Sequence, residues 1–258
     1  MDSLPLASTR SEDDRKRLSR PAQVAEAIKD WIVAEHFGAG DRLPSETQMI
    51  ERFSMSKGTI REAMRILDAQ GLIKSRTGPG GGSFVHEVSR ERARALLGNY
   101  FYFKDLTIAD IYQLRRVLEP ELVASLAGNL DEAALGELEM NLAQYADPAV
   151  TEEDEREQHI ASLNFHAALA RFSGNPLMSF LIDFMVNILA DITVYRQLYT
   201  PINVDLWAKG RDYQARLIEA LRAGDSGAAR AIMKAHMQTA QSIMEGQERV
   251  SLSRFISE

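Results

Sequence analysis

Apolar positions follow two regimes along this chain. Between Pro21 and Val85 they form short stripes broken by turn residues. Val24, Ile28, Trp31 and Ile32 recur at helical spacing, which predicts a first helix from Pro21 to about Phe37, with proline in the tolerant first turn. Gly38-Ala-Gly-Asp41 ends it. A short second helix is expected from about Ser45 to Phe53, with Ser45 as N-cap and Glu46 in the positive first turn. After Ser54-Met-Ser56, the stripe Ile60, Ala63, Met64, Leu67 predicts a third helix that starts near Lys57 and ends at Gly71. Leu72–Ser75 and Phe84–Val85 read as strands around the flexible tip Arg76-Thr-Gly-Pro-Gly-Gly-Gly-Ser83. From Ala93 onward the strand signals vanish. Helical spacing predicts helices over 90–103, 107–127, 131–145, 152–172, 176–197, 203–223 and 225–245. Thr107, Asp131, Thr151 and Asp225 suit their starts, and Asp147-Pro148, Ser173-Gly-Asn-Pro176, Tyr199-Thr-Pro201 and Ala223-Gly224 suit the breaks.

Two short helices joined by a tight turn, with the second one polar at its N-terminal end and a hairpin behind it, are the layout of a winged helix-turn-helix. The second helix of that motif enters the DNA major groove and reads base edges with its first residues. The fold class expected is therefore mainly α: an N-terminal winged helix-turn-helix with a small β-hairpin wing, and a C-terminal all-α bundle of six or seven helices. The expected division is a flexible arm over 1–19, the winged domain over 20–86, a linker over 87–94, the helical domain over 95–246 and a tail over 247–258.

The net charge of −7 changes this picture little once its distribution is seen. Residues 1–86 carry 13 basic and 12 acidic side chains, net +1, and the rest carry 17 and 25, net −8. The basic residues of the first part, Arg52, Lys57, Arg61, Arg65, Lys74 and Arg76, fall where DNA would lie and are enough for phosphate contacts. Cysteine is absent, so disulfides, thiolate metal sites and thiol nucleophiles are excluded. No apolar run is read as a membrane span and the N-terminus lacks a secretory pattern, so a soluble, cytoplasmic protein without a membrane partner is expected. The enzyme class finds no motif. There is no His-Glu-x-x-His, no His has Glu three places before it, and Gly80-Gly-Gly82 lacks the lysine of a phosphate-binding loop. Met178, Phe180, Leu181, Phe184 and Met185 read as bundle core.

Leu43-Pro-Ser-Glu46, Ser56-Lys-Gly-Thr-Ile-Arg-Glu-Ala-Met-Arg-Ile-Leu67, Gly71-Leu-Ile73 and the glycine-rich tip resemble the N-terminal domain of GntR-family transcription regulators. Leu114-Arg-Arg-Val-Leu-Glu-Pro-Glu-Leu-Val123, Phe165-His-Ala-Ala-Leu-Ala-Arg-Phe-Ser-Gly-Asn-Pro-Leu177, and Ala223-Gly-Asp225 with Met233-Lys-Ala-His236 resemble the helical, FCD-like effector domain of FadR-type members. The resemblance implies a homodimer on a pseudo-palindromic double-stranded operator, repression of a metabolic operon, and a small-molecule effector inside the bundle. Lys57 and Arg61 are expected to meet base edges or phosphates and Ser56 and Thr59 to hold the backbone. Gly58, Gly78 and Gly80 allow close approach, and Arg52, Arg65 and Arg76 complete the basic face. Thr47, Lys57, Gly58 and Thr59 depart from the common pattern of relatives, which points to a different operator. For the dimer, Leu114, Leu118 and Leu122 are candidates, with intramolecular core as their other reading.

Arg115, His166, Gln214 and His236 are the expected effector contacts, with Arg115 neutralising an acid group and its i,i+4 pairing to Glu119 as the other reading. Many relatives hold a divalent metal with an aspartate, a histidine four residues later and two further histidines. Here Ser162 takes the aspartate position and Gln214 one histidine position. The residual pair His166 and His236, with His159 two turns before His166, makes a poor donor set, so a divalent metal there is the disfavoured alternative to a site without a cofactor. A small organic acid is the leading effector class. An acyl-coenzyme A effector, or a helical enzyme fused to a DNA-binding domain, are the alternatives.

Overall fold

The computed structural model describes residues 18–104 and 106–257, and most of the arm expected over 1–19, with its basic cluster Arg15–Arg17, lies outside them. The chain forms two compact units, Met1–Ala93 and Arg94–Glu258.

In the first unit, α1 (Arg20–Ala34), α2 (Glu46–Phe53) and α3 (Lys57–Gln70) precede the strands β1 (Ile73–Arg76) and β2 (Gly82–Val85). Each short helix has a reason to start and stop where it does. Ser45 and Gln48 form a reciprocal capping box on α2, and the Ser56 hydroxyl accepts from the Thr59 amide on α3. Ser54 takes the left-handed conformation at φ 51°, which turns the chain sharply between the two helices. Gly71 ends α3 at φ 81°, and a side chain there would also meet the Arg92 guanidinium at 3.2 Å. The strands pair antiparallel from Ile73 opposite Val85 to Arg76 opposite Gly82. Val24, Ile28, Leu43, Met49, Ile60, Leu67 and Ile73 form the core that fixes the three helices to the hairpin.

The second unit is helical. α4 (Arg90–Tyr102), already helical inside the expected linker, is followed by α5 (Ile108–Leu126), α6 (Glu132–Ala143), α7 (Glu152–Arg171), α8 (Pro176–Tyr195), α9 (Val204–Arg222) and α10 (Ser226–Ser257). Thr107, Asp131, Thr151, Asn175 and Asn203 cap the N-termini of α5 to α9 with their side chains. The last helix runs a dozen residues past the expected end at 245, because neither proline nor a left-handed glycine interrupts it. α5 packs along α10, α9 against α10, and α7 against α8. Ile108, Leu122, Phe165, Leu169, Ile182, Leu189, Leu217, Met233 and Met237 lie in one continuous core.

Two expectations are corrected. By length and composition α8 is apolar enough to cross a membrane, contrary to the reading that no run approached a span. Its Ile182, Phe184, Met185, Val186 and Leu189 are buried among the other helices, so its hydropathy is that of a core helix. Of the three leucines offered for a dimer contact, Leu122 is core and Leu118 packs on that core, whereas Leu114 is 55% exposed beside Val117 at 64%. Phe165→Ala is expected to cost about 3–5 kcal/mol of unfolding free energy in denaturant titrations, through the cavity it leaves. Leu114→Ala is expected to leave the stability of the separate chain within about 0.5 kcal/mol.

Candidate functional site

The α3 N-terminus and the wing make one face of the first unit. Lys57, Gly58 and Arg61 are exposed at the start of α3, one turn apart. Neither cation is free in solution. Arg61 Nε donates to Glu46 Oε2 at 2.7 Å, and Lys57 Nζ lies 3.4 Å from Glu46 Oε1. The Arg61 hydrogen bond, joined by Lys57, holds the Glu46 carboxyl below its usual range. Glu46 therefore gathers the heads of both expected base readers, a role the sequence reading did not give it. Ser56 Oγ and Thr59 Oγ1 are 2.9 Å apart and spend their polarity on the helix cap. Arg65 pairs with Glu62 and stays largely exposed.

Arg76 stacks over Phe84, with its guanidinium carbon 4.8 Å from the ring centroid, at the base of the wing. Gly78 and Gly80 have φ of 93° and 76° at the tip. At Gly81 a side chain would sit 2.6 Å from the Arg76 carbonyl, so this position excludes all but glycine. Arg42, which the sequence reading passed over, donates to the Gly81 carbonyl at 2.6 Å and fastens the tip. Arg52 also has partners within the unit. It lies over Trp31, 4.5 Å from the ring centroid, and bonds Glu35 at 3.0 Å, tying α2 to α1.

The second unit contains a small cavity, about 50 Å³ in volume. α7 supplies one wall through Glu155, Gln158, His159, Ser162 and His166, spaced to share a helix face. α5 adds Tyr112 and Arg115, α9 adds Leu206, Trp207 and Gly210, and α10 adds His236, Met237, Ala240 and Met244.

A chain of buried polar groups forms the deep end. Arg115 Nε donates to Glu119 Oε1 at 2.6 Å, Glu119 Oε2 meets His166 Nδ1 at 2.5 Å, and His166 Nε2 lies 3.3 Å from His236 Nε2. Burial raises the Glu119 pKa, but Arg115 and His166 more than offset that and hold it at about 2. A carboxylate at Glu119 requires His166 Nδ1 to donate, which leaves His166 Nε2 as an acceptor for the N–H of His236. Burial, aided by the Arg115 charge, lowers the pKa of all three imidazoles, to about 4 for His159, so they are neutral at pH 7.

The i,i+4 pairing of Arg115 is formed, since Nε pairs with Glu119, while Nη2 is buried without a partner. His159 Nδ1 and Gln158 Oε1 are likewise buried and unpartnered. These orphaned atoms are the available hydrogen-bonding equipment of the cavity. Glu119 was missed as a site residue because its helix neighbour Arg115 explained it locally. Gln214 is corrected: it does not line the cavity. It accepts from Tyr145 Oη at 2.6 Å and donates to the Ser162 carbonyl and hydroxyl at 3.3 and 3.2 Å, so it positions two lining residues from behind.

A divalent metal does not fit this donor set. Gln214 and Ser162 are bonded to each other, and His166 and His236 remain as a pair with no carboxylate beside their Nε2 atoms. No group of three metal-ligating side chains occurs among the described residues.

A winged helix-turn-helix carrying a helical bundle with an internal polar cavity defines the chain as a DNA-binding protein with a ligand-accommodating domain. Residues 21–85 match the gntR family of bacterial regulatory proteins and residues 110–239 match the FCD domain. The chain belongs to the gntR family, in its branch with an FCD domain, and is a ligand-responsive DNA-binding transcription regulator. It is similar to the HTH-type transcriptional repressor NanR of Citrobacter rodentium, 27% identical over 87% of this chain and 84% of that one. The HTH-type transcriptional regulator LutR of Bacillus subtilis is 24% identical over 80% of this chain and 93% of that one. The solved structure of Streptococcus agalactiae GntR shares the fold with a TM-score of 0.62 at 23% identity, over 86% of this chain and 99% of that one.

Two outcomes follow for the buried chain of charges. Glu119→Gln is expected to destabilise the protein by about 3–5 kcal/mol in denaturant titrations, by stranding the Arg115 charge. The imidazoles titrate lower in the folded state than in the unfolded chain, so the unfolded state takes up their protons first. Stability is expected to be full above pH 6.5 and to fall as pH drops from there through about 4, with His159→Gln flattening the profile of midpoint against pH.

Proposed function

We propose that this protein is a homodimeric repressor that binds a pseudo-palindromic operator and releases it when a small organic acid enters the FCD cavity. The observation that carries the reading is the buried, unpartnered Arg115 Nη2 in a cavity that also holds the unpartnered His159 Nδ1. A guanidinium arm with one face spent on Glu119 and the other open is suited to hydrogen-bond a carboxylate. His166 and His236 border the acid from the deep side, and Gln214 acts through Ser162 and Tyr145. The effector is held by these groups directly, without a metal. The name of the relative NanR, a transcriptional repressor, favours negative control, and a regulator of this kind works in the cytoplasm, without enzymatic activity of its own.

On the DNA side, Lys57 and Arg61 read the operator, with Gly58 giving access and Ser56 and Thr59 fixing the helix start. Arg65, Arg76, Gly78 and Gly80 lie along the phosphate path, and Arg52 serves that face from behind by anchoring α2. The exposed Leu114 and Val117 on α5 supply part of the dimer contact.

Effector action requires a difference in affinity between the operator-bound and released states. An organic-acid panel is expected to include a member that weakens the operator complex in a gel shift, unaffected by chelator. Arg115→Lys, which keeps a charge for Glu119 but loses the free guanidinium arm, is expected to abolish that response while preserving operator binding. A response that survives in Arg115→Lys, or that vanishes with chelator, contradicts the reading. Arg61→Ala is expected to cost about 1–3 kcal/mol in specific binding at fixed salt. Light scattering is expected to return the mass of two chains at micromolar concentration.

A further inference from the structure

Glu155 is the cavity group that the proposed recognition of an acid does not use. It sits on the first turn of α7, its residue is 4% exposed, and it lines the cavity. Its Oε1 accepts from the Asn203 amide at 3.2 Å, the only hydrogen bond of its side chain among the described residues. Glu119 offers the contrast. That carboxylate is also buried but lies between a guanidinium and an imidazole. Glu155 has one neutral donor and no cation, and burial pushes its carboxyl up. A buried carboxylate without a countercharge is costly to keep, so a group at this position either serves only the loop before α9 or waits for a cation.

The charge balance of the cavity points to the second. Arg115 is already compensated by Glu119, and the imidazoles are neutral. The lining therefore offers donors for a carboxylate at Arg115 Nη2 but no net positive charge for it, while Glu155 offers negative charge for a cation. Glu155 and His159 are one turn apart on the same face of α7, with an axial separation of about 6 Å. A ligand that reaches past His159 from Glu155 to Arg115, both of which line this cavity, places opposite charges at its two ends.

Building on the organic-acid reading above, we infer that the effector is a zwitterion: a carboxylate at the Arg115 end of the cavity and an ammonium group bonded to Glu155. An N⁺–H···O⁻ bond in this water-poor site is stronger than a neutral one and supplies the discrimination. Acids that lack an amine would leave Glu155 buried and unpaired and would bind more weakly.

The test uses the full-length protein and matched sets of linear acids of three to six carbons, each unsubstituted, hydroxylated or aminated at the α or the terminal carbon. Binding is read by calorimetry and by the fluorescence of Trp207, which lines the cavity. At least one aminated acid is expected to bind about tenfold or more tighter than its unsubstituted and hydroxylated counterparts, as expected for one charge-assisted hydrogen bond. Glu155→Gln keeps an oxygen for the Asn203 amide and is expected to erase that preference by weakening the aminated acid, while the unsubstituted acid, relieved of a nearby negative charge, binds no more weakly than to the native protein. Unsubstituted or hydroxylated acids that bind as tightly as the aminated ones to the native protein would overturn the zwitterion and leave the organic-acid reading standing. Equal weakening of every acid by Glu155→Gln would likewise overturn it, assigning Glu155 to the loop alone. Absence of binding by every acid in the panel would overturn both readings.

Discussion

The ion pair between Arg115 and Glu119 is the constraint on which the second unit depends. Both side chains are fully buried, and neither could be so without the other. Their spacing on α5 makes the pair local, but its consequences are not. Glu119 fixes the tautomer of His166 on α7, and His166 in turn meets His236 on α10. Three helices are thus locked in register by polar contacts inside an otherwise apolar core. Because such contacts are directional, they position the cavity wall more sharply than packing of leucines alone would. The same pair decides the chemistry of the cavity, since it consumes the charge of Arg115 and leaves one arm of its guanidinium open.

A similar economy governs the DNA-facing unit. Glu46 holds Lys57 and Arg61 together at an exposed surface, where each pair is weak and easily exchanged for a phosphate or a base. The free protein therefore presents these two side chains partly organised. The wing is organised differently, by backbone. Gly81 has no room for a side chain, and Arg42 pins the tip from the segment before α2. The helix start is thus arranged by charge, and the hairpin by a shape set by glycine.

The sequence by itself determined the order and type of the elements. Ser45, Ser56, Thr107, Asp131 and Thr151 mark helix starts because their side chains satisfy amides that nothing else in the helix can reach. Apolar spacing then chose the buried face of each helix, as at Ile60, Ala63 and Leu67. Local chemistry is visible in local sequence. What only the tertiary structure decided are the partners that lie far apart in the chain. Glu119 reads as a helix-surface neighbour of Arg115 until α7 brings His166 to its other oxygen, 47 residues later. Gln214 reads as a cavity residue until Tyr145 and Ser162 claim both ends of its amide. Arg52 reads only as part of a basic face until Trp31 and Glu35 show that it also ties α2 to α1. In each case the side chain has several possible partners of comparable strength, and the choice among them is made by which helices pack together, a property of the whole core that no short stretch encodes.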